Sequence, residues 1–201
     1  MKIGIIGATG NAGRALYAEA TKRGHEATGI VRDPDRTGSI LGTDATMLVK
    51  DAFDLTSEDL TSFDVVINAF STPPARAHLH VDLAARLVSL LRETQTPRLV
   101  FIVGAGSLTM GKDHHLLVED LRRLPEAGAF IATPENQLKE LQFLTCSGRT
   151  IRRSRVWSGL GRLVRDSRSG GRPFQTVRSS RLAVRRTHRA SRCASCRPPF
   201  G

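Results

Sequence analysis

Cysteine is scarce in this chain and unevenly placed: three occur in 201 residues, and the first is Cys146. The residues before it hold no disulfide framework and read as protein from a reducing compartment. No run approaches the ~18–20 apolar residues needed to cross a membrane. The amino-terminal stretch lacks the basic region, long apolar run and cleavage site of a secretory signal. Cytoplasmic residence with no membrane partner is the expectation. Acidic residues are scarce too, but in one part only. Residues 145–201 contain 15 Arg, no Lys and a single acid, Asp166, whereas residues 1–144 set 15 Lys+Arg against 18 Asp+Glu. The net charge of +11 therefore belongs wholly to the tail. Metal-type spacing is also missing. His78 and His80 lie at i and i+2 on a predicted helix and point to different faces, whereas helical ligand pairs sit at i,i+4. His25 reads as a turn residue, and His114 and His115 as solvated loop residues, with His114 the one able to reach a pocket. No metal site is expected.

What is present is concentrated at the start. Ile3, Ile5 and Ile6 form a short β-branched run, as expected of a strand buried on both faces of a parallel sheet. Gly7, Gly10 and Gly13 follow three apart. In such a turn the first glycine allows the sharp bend, the second lets backbone approach a pyrophosphate, and the third lets the helix pack closely on the strand. The free N–H groups and positive end of a helix opening near Asn11 would then face an anion. A glycine triplet that directly follows an apolar strand and opens an Ala/Leu-rich helix is in the context that supports nucleotide binding, with a purely structural turn as the alternative.

The rest of residues 1–144 alternates strand and helix. A helix over about 11–23 stops at Gly24. Strands are predicted over 27–31, 46–50, 64–70 and 98–103, a helix over about 75–94 and a last helix over 134–144. This pattern predicts an α/β fold, a doubly wound, mostly parallel sheet of order 3-2-1-4-5. Arg32 comes first after the second strand, where an arginine accommodates a ribose 2′-phosphate and an acid accepts from the ribose hydroxyl. It reads as NADP preference, assisted by Arg36, with a solvated surface arginine as the alternative, while the adjacent Asp33 leaves NAD open. Asp51, after the third strand, is placed to accept from an adenine amino group; a helix cap is the alternative and suits Asp54 or Thr56 better. Ser107 lies in a small-residue loop after the fifth strand, where it either donates to a substrate carbonyl or caps the next segment. On the last helix Glu135, Lys139 and Glu140 read as a solvated face.

Gly7-Ala-Thr-Gly-Asn-Ala-Gly13, Val31-Arg-Asp-Pro34, Asp51, Asn68-Ala-Phe70 and Val103-Gly-Ala-Gly-Ser-Leu108 together resemble the atypical short-chain dehydrogenase/reductase group. The resemblance is nearer to its NAD(P)H-dependent flavin reductases and the related biliverdin reductase B and NmrA-like proteins, and covers about residues 1–144. It implies a Rossmann-like domain in which Gly7, Thr9, Gly10, Asn11 and Ala12 cradle the pyrophosphate. Gly13 is the helix-packing glycine of the same motif. The resemblance further implies that Arg32 meets the 2′-phosphate, Asp51 and Ala52 the adenine, and Ala69, Phe70 and Gly104 the nicotinamide half. Most short-chain dehydrogenases use a tyrosine and a lysine four residues later as proton relay. Tyr17, the single tyrosine, lies inside the first helix and cannot fill that role. Hydride transfer to a flavin or another conjugated small-molecule acceptor needs less, because the acceptor stabilises its own charge. A non-catalytic NmrA-like sensor of NADP is the alternative.

From residue 145 the pattern stops. The Arg/Ser/Gly-rich text over 145–201 is expected to be disordered by composition. Three origins stay open: an arginine-rich arm for nucleic acid, half a zinc site from Cys193, Cys196 and His188, or an out-of-frame reading that replaces the family's carboxyl-terminal segment. Fifteen Arg without Lys favours the last. Nucleic acid is thus expected as a partner only through this tail, and oligomeric state is not legible.

Overall fold

The apolar run at the start of the chain forms the central strand, and everything else in residues 1–146, the part that the computed structural model describes, is arranged about it. β1 (Lys2–Ile6) pairs in parallel with β2 (Glu26–Val31) on one side and β4 (Val65–Asn68) on the other. β3 (Met47–Val49) and β5 (Arg98–Phe101) close the two edges, giving a five-stranded sheet of order β3-β2-β1-β4-β5. This is the Rossmann-like order expected from the alternation of elements. The basic tail beyond Cys146, with Cys193, Cys196 and His188, lies outside the described residues.

Alternation along β1 sends its side chains into two cores. Ile3 and Ile5 pack with Tyr17, Ala20 and Val31 on one face, under α1 (Asn11–Lys22) and α2 (Pro34–Leu41). Ile6 joins the larger cluster on the other face with Leu55, Leu60, Leu83, Leu87, Leu91 and Leu144. Those residues come from α3 (Ser57–Thr61), α4 (Leu79–Leu90), α7 (Ala132–Cys146) and their approaches. Each fully buried Leu or Ile contributes about 1.5–3 kcal/mol relative to exposure, so a strand buried on both faces is a stable platform.

Local chemistry sets the helix boundaries. α1 ends with Gly24 at φ +74°. Asp33 caps α2 by accepting from the Arg36 N–H at 3.0 Å, with Pro34 in the first turn. Thr56 and Asp59 form a reciprocal capping box on α3, so Thr56 rather than Asp51 or Asp54 is the cap there. The Tyr17 hydroxyl accepts from the Thr46 N–H at 3.0 Å and ties α1 to the start of β3, far from the strand ends where ligands bind. The single tyrosine is structural.

Between β5 and α7 the structure holds more than the sequence pattern suggested. A 3-10 turn (Ala105–Ser107) leads into a two-stranded hairpin of β6 (Thr109–Met110) and β7 (His115–Leu116), then α5 (Leu117–Arg122) and α6 (Ala127–Phe130). These pieces are too short to show a period. Likewise, the helix expected over 75–94 is a 3-10 turn at Pro74–Arg76 followed by α4, because the proline pair sets the entry.

Candidate functional site

The carboxyl ends of β1, β4 and β5 converge on the loop that follows β1. Gly7 has φ +74°, and a side chain there would meet the Ala69 carbonyl oxygen at 2.8 Å. Gly7 is therefore required both by conformation and by the neighbouring strand end. The Gly7 carbonyl accepts from the Gly10 N–H at 3.0 Å and closes the turn. Gly13 is more constrained still: a Cβ there would overlap the Gly7 carbonyl and stand 2.7 Å from the Ala8 Cα. The close helix-on-strand packing expected of the third glycine is thus present.

Gly10 caps α1 without any side-chain hydrogen bond, and no acidic residue occupies the first turn. The first intrahelical bond runs from the Arg14 N–H to the Gly10 carbonyl. Helical geometry gives the N–H groups of Asn11, Ala12 and Gly13 no partner within the helix. Asn11 and Ala12 are exposed, Thr9 is half-buried, and a side chain at Gly10 would meet the Gly7 oxygen at 3.3 Å. This narrow, backbone-lined cradle at a helix amino end fits a pyrophosphate.

Beyond β2, Arg32 is exposed, and its Nη1 stands 3.8 Å from Asp51 Oδ2. The two residues read separately in the sequence thus face each other across one corner of the sheet. Asp51 Oδ1 accepts from the Phe53 N–H at 2.9 Å, which holds the turn after β3, and Ala52 is buried in the core with only its backbone left for a ligand. Asp33 is engaged as a helix cap and Arg36 contributes only its backbone N–H there.

On the other side of β1, Ala69 is buried and Phe70 half-buried. Buried Asn68 turns its Oδ1 back to accept from the Phe70 N–H at 3.2 Å and fixes that strand end. Phe70 is the middle ring of a row: Phe53 and His80 stand edge-on to it, with centroids 6.1 and 5.5 Å away. Gly104 follows β5, and a side chain there would collide with the Gln137 carboxamide from α7. Ser107 donates to the Gly104 carbonyl at 3.4 Å, so its hydroxyl closes its own turn.

Three residues behave differently from their sequence reading. Glu140 does not belong to a solvated face: it is 1% exposed, on the buried side of α7 with Leu144 one turn on. Glu135 pairs instead with Arg122 at 2.6 Å, and Lys139 points outward. His80 is also 1% exposed, with Nδ1 3.8 Å from Glu140 Oε2, beyond hydrogen-bond reach; His80 Nε2 and Glu140 Oε2 have no hydrogen-bond partner among the described residues. Burial pushes the Glu140 carboxyl up to about 8 and holds His80 below the usual histidine range, so the pair is neutral. His115 is not a free loop residue. It bridges Asp113 at 2.8 Å and Asp120 at 2.7 Å, and these carboxylates raise its pKa. Leu144 at i+4 from Glu140 was the signal that the acid shares a buried face. No such signal marks His80 or Gln137. Among the described residues no group of His, Cys, Asp and Glu could hold a metal ion, and no helix is long and apolar enough to cross a membrane.

A cradle of glycines and free N–H groups at the strand ends of a parallel 3-2-1-4-5 sheet defines a dinucleotide-binding domain. Comparison with known proteins gives the family: residues 7–128 match the NAD(P)H-binding model, and the chain belongs to that family. It is 42% identical over 145 residues to the uncharacterized protein YwnB of Bacillus subtilis, covering 71% of this chain and 66% of that protein, just under two thirds. Among solved structures it is similar to a Lactobacillus casei protein, at 41% identity and TM-score 0.67, covering 74% of this chain and 69% of the other. A Streptococcus pneumoniae protein described as a proposed NADH-flavin reductase is 39% identical, with TM-score 0.61 and coverage of 72% and 65%.

Proposed function

We propose that this protein is an NADPH-dependent oxidoreductase that reduces a flavin or a similar conjugated acceptor. The observation that carries the reading is the cradle itself: Gly7 and Gly13 stand where any side chain would collide, Gly10 where one would fit only tightly, and the first N–H groups of α1 have no partner within the helix. Thr9, Asn11 and Ala12 complete the pyrophosphate site. Asp51 and Ala52 take the adenine end, and Ala69, Phe70 and Gly104 the nicotinamide half. The bound cofactor supplies the hydride, and the protein's part is to hold and orient it.

Arg32 supports the phosphorylated cofactor. Its guanidinium is exposed beside Asp51, and Asp33, the acid that would favour NAD, has its carboxylate engaged in capping α2. The pneumococcal relative is named for NADH, so the cofactor test must compare both. A flavin-type acceptor is supported by that relative's name and by the absence of a tyrosine relay, since Tyr17 bonds the Thr46 backbone. The test is NADPH oxidation by the purified chain with and without FMN. Turnover that depends on FMN is expected. Tight cofactor binding with no turnover for FMN or quinones would favour the NmrA-like sensor instead, a reading that the engagement of Ser107 in its own turn also suits.

A further inference from the structure

Two buried polar atoms without partners lie behind the nicotinamide half of the proposed site. His80 stands edge-on to Phe70, two residues past the end of β4. Glu140 faces His80 from α7 and follows by one turn Gln137, whose carboxamide lies against Gly104 after β5. Both side chains are 1% exposed. Burying an acid and an imidazole without hydrogen bonds costs stability, and such groups call for a role beyond packing.

Resting on the cofactor reading above, we propose that Glu140, facing His80 behind Phe70 and Gly104, sets how strongly the site prefers the reduced over the oxidised nicotinamide cofactor. The oxidised ring carries one positive charge that the reduced ring lacks. A neutral Glu140 is indifferent to that difference, whereas an ionised one attracts the oxidised ring. By linkage, binding the oxidised form favours loss of the Glu140 proton, and the same coupling makes its affinity rise relative to the reduced form as pH increases. His80, beyond hydrogen-bond reach and held neutral by its own burial, does not take up that proton, which passes to solvent. The other titratable groups on the packed elements are turned away: Arg76, His78, Asp82 and Lys139 are exposed, the Arg86 guanidinium donates to the Leu55 carbonyl, and Glu135 pairs with Arg122. The same device would serve a reductase, by favouring product release at low pH, or a sensor of the cofactor's redox state.

The test measures dissociation constants of NADPH and NADP+ for the full chain from about pH 6.5 to pH 9. The 2′-phosphate titration is common to both ligands and cancels in their ratio. In the wild type the preference should move toward NADP+ by about tenfold across this range, a size usual for two coupled sites. Glu140→Gln should flatten the ratio. Titrations of the wild type in two buffers of different ionisation heat, near pH 8, should show proton release on binding NADP+ and none on binding NADPH, and this holds the proposal to account if the variant does not fold. A flat wild-type ratio with both ligands bound overturns this inference alone. An unchanged slope in Glu140→Gln, even if the variant alters the pH dependence of Tm, also overturns it. Failure of both cofactors to bind at any pH overturns the cofactor reading and this inference with it.

Discussion

The two halves of the site are made of different material. The half beside α1 is built from absent side chains: Gly7, Gly10 and Gly13 clear a space, and the backbone supplies the polar groups. The half beside α7 is built from side chains that the chain brings together from far apart, Phe70 after β4, His80 on α4, and Gln137 and Glu140 on α7. A backbone cradle has no titratable group and binds the part of the ligand common to every dinucleotide. A wall of buried polar side chains is sensitive to pH and to small repacking, which is where selectivity belongs. On the reading proposed above, the first half would determine whether the cofactor binds, and the second which form of it is favoured.

The sharpest way to break this contrast is to fill the cradle. Gly13→Ala places a methyl where it overlaps the Gly7 carbonyl, so α1 must move. A loss of about 1–3 kcal/mol in stability and loss of cofactor binding are expected, read by denaturant unfolding and by ligand-induced Tm shift. A change in the second half should act differently. Because Glu140 is raised from 4.5 to about 8 in the folded state, its contribution to stability is full below about pH 4.5 and falls as pH rises toward 8. Glu140→Gln should remove that decline, so the variant gains on the wild type between about pH 4.5 and 8 while still binding cofactor. His80, held low by burial, works in the opposite sense: its share is present above pH 6.5 and lost as pH falls below it.

Arg32→Ala should weaken NADPH binding about tenfold to a hundredfold, as expected for losing a charge-assisted contact, and leave NADH binding nearly unchanged. The smallest effect is expected at His115, the half-buried histidine of the hairpin. Its pKa is raised by hydrogen bonds to Asp113 and Asp120, so the stabilisation it gives the hairpin is present at acid pH and lost as pH rises through its folded value. His115→Ala should lower Tm slightly near pH 6 and have less effect near pH 8.5, because exposed ion pairs contribute little.

The half made of glycine was legible in the sequence because its physics is local. Three glycines spaced three apart after an apolar strand define a turn and a helix start within seven residues, and Arg32 and Asp51 sit at strand ends that the alternation of elements locates. The sheet order followed from the same alternation. The other half was not legible. Glu140 reads as a surface acid beside Lys139; Leu144 one turn on shares its face, but what buries that face is the way α7 turns toward α4. His80 gave no sign because its partner is sixty residues away along the chain and the contact exists only in the fold. The hairpin at Thr109–Leu116 escaped because each strand is two residues long, and what holds His115 is a pair of carboxylates on either side of it in sequence.

The most direct test of the central claim, that residues 1–146 form a working dinucleotide site selective for the phosphorylated cofactor, is thermal unfolding of the purified chain alone, with NADPH and with NADH. A ligand that binds only the native state raises the midpoint. The account predicts one cooperative transition that moves upward with both cofactors and further with NADPH, the excess vanishing in Arg32→Ala. No shift with either cofactor at millimolar concentration would contradict it.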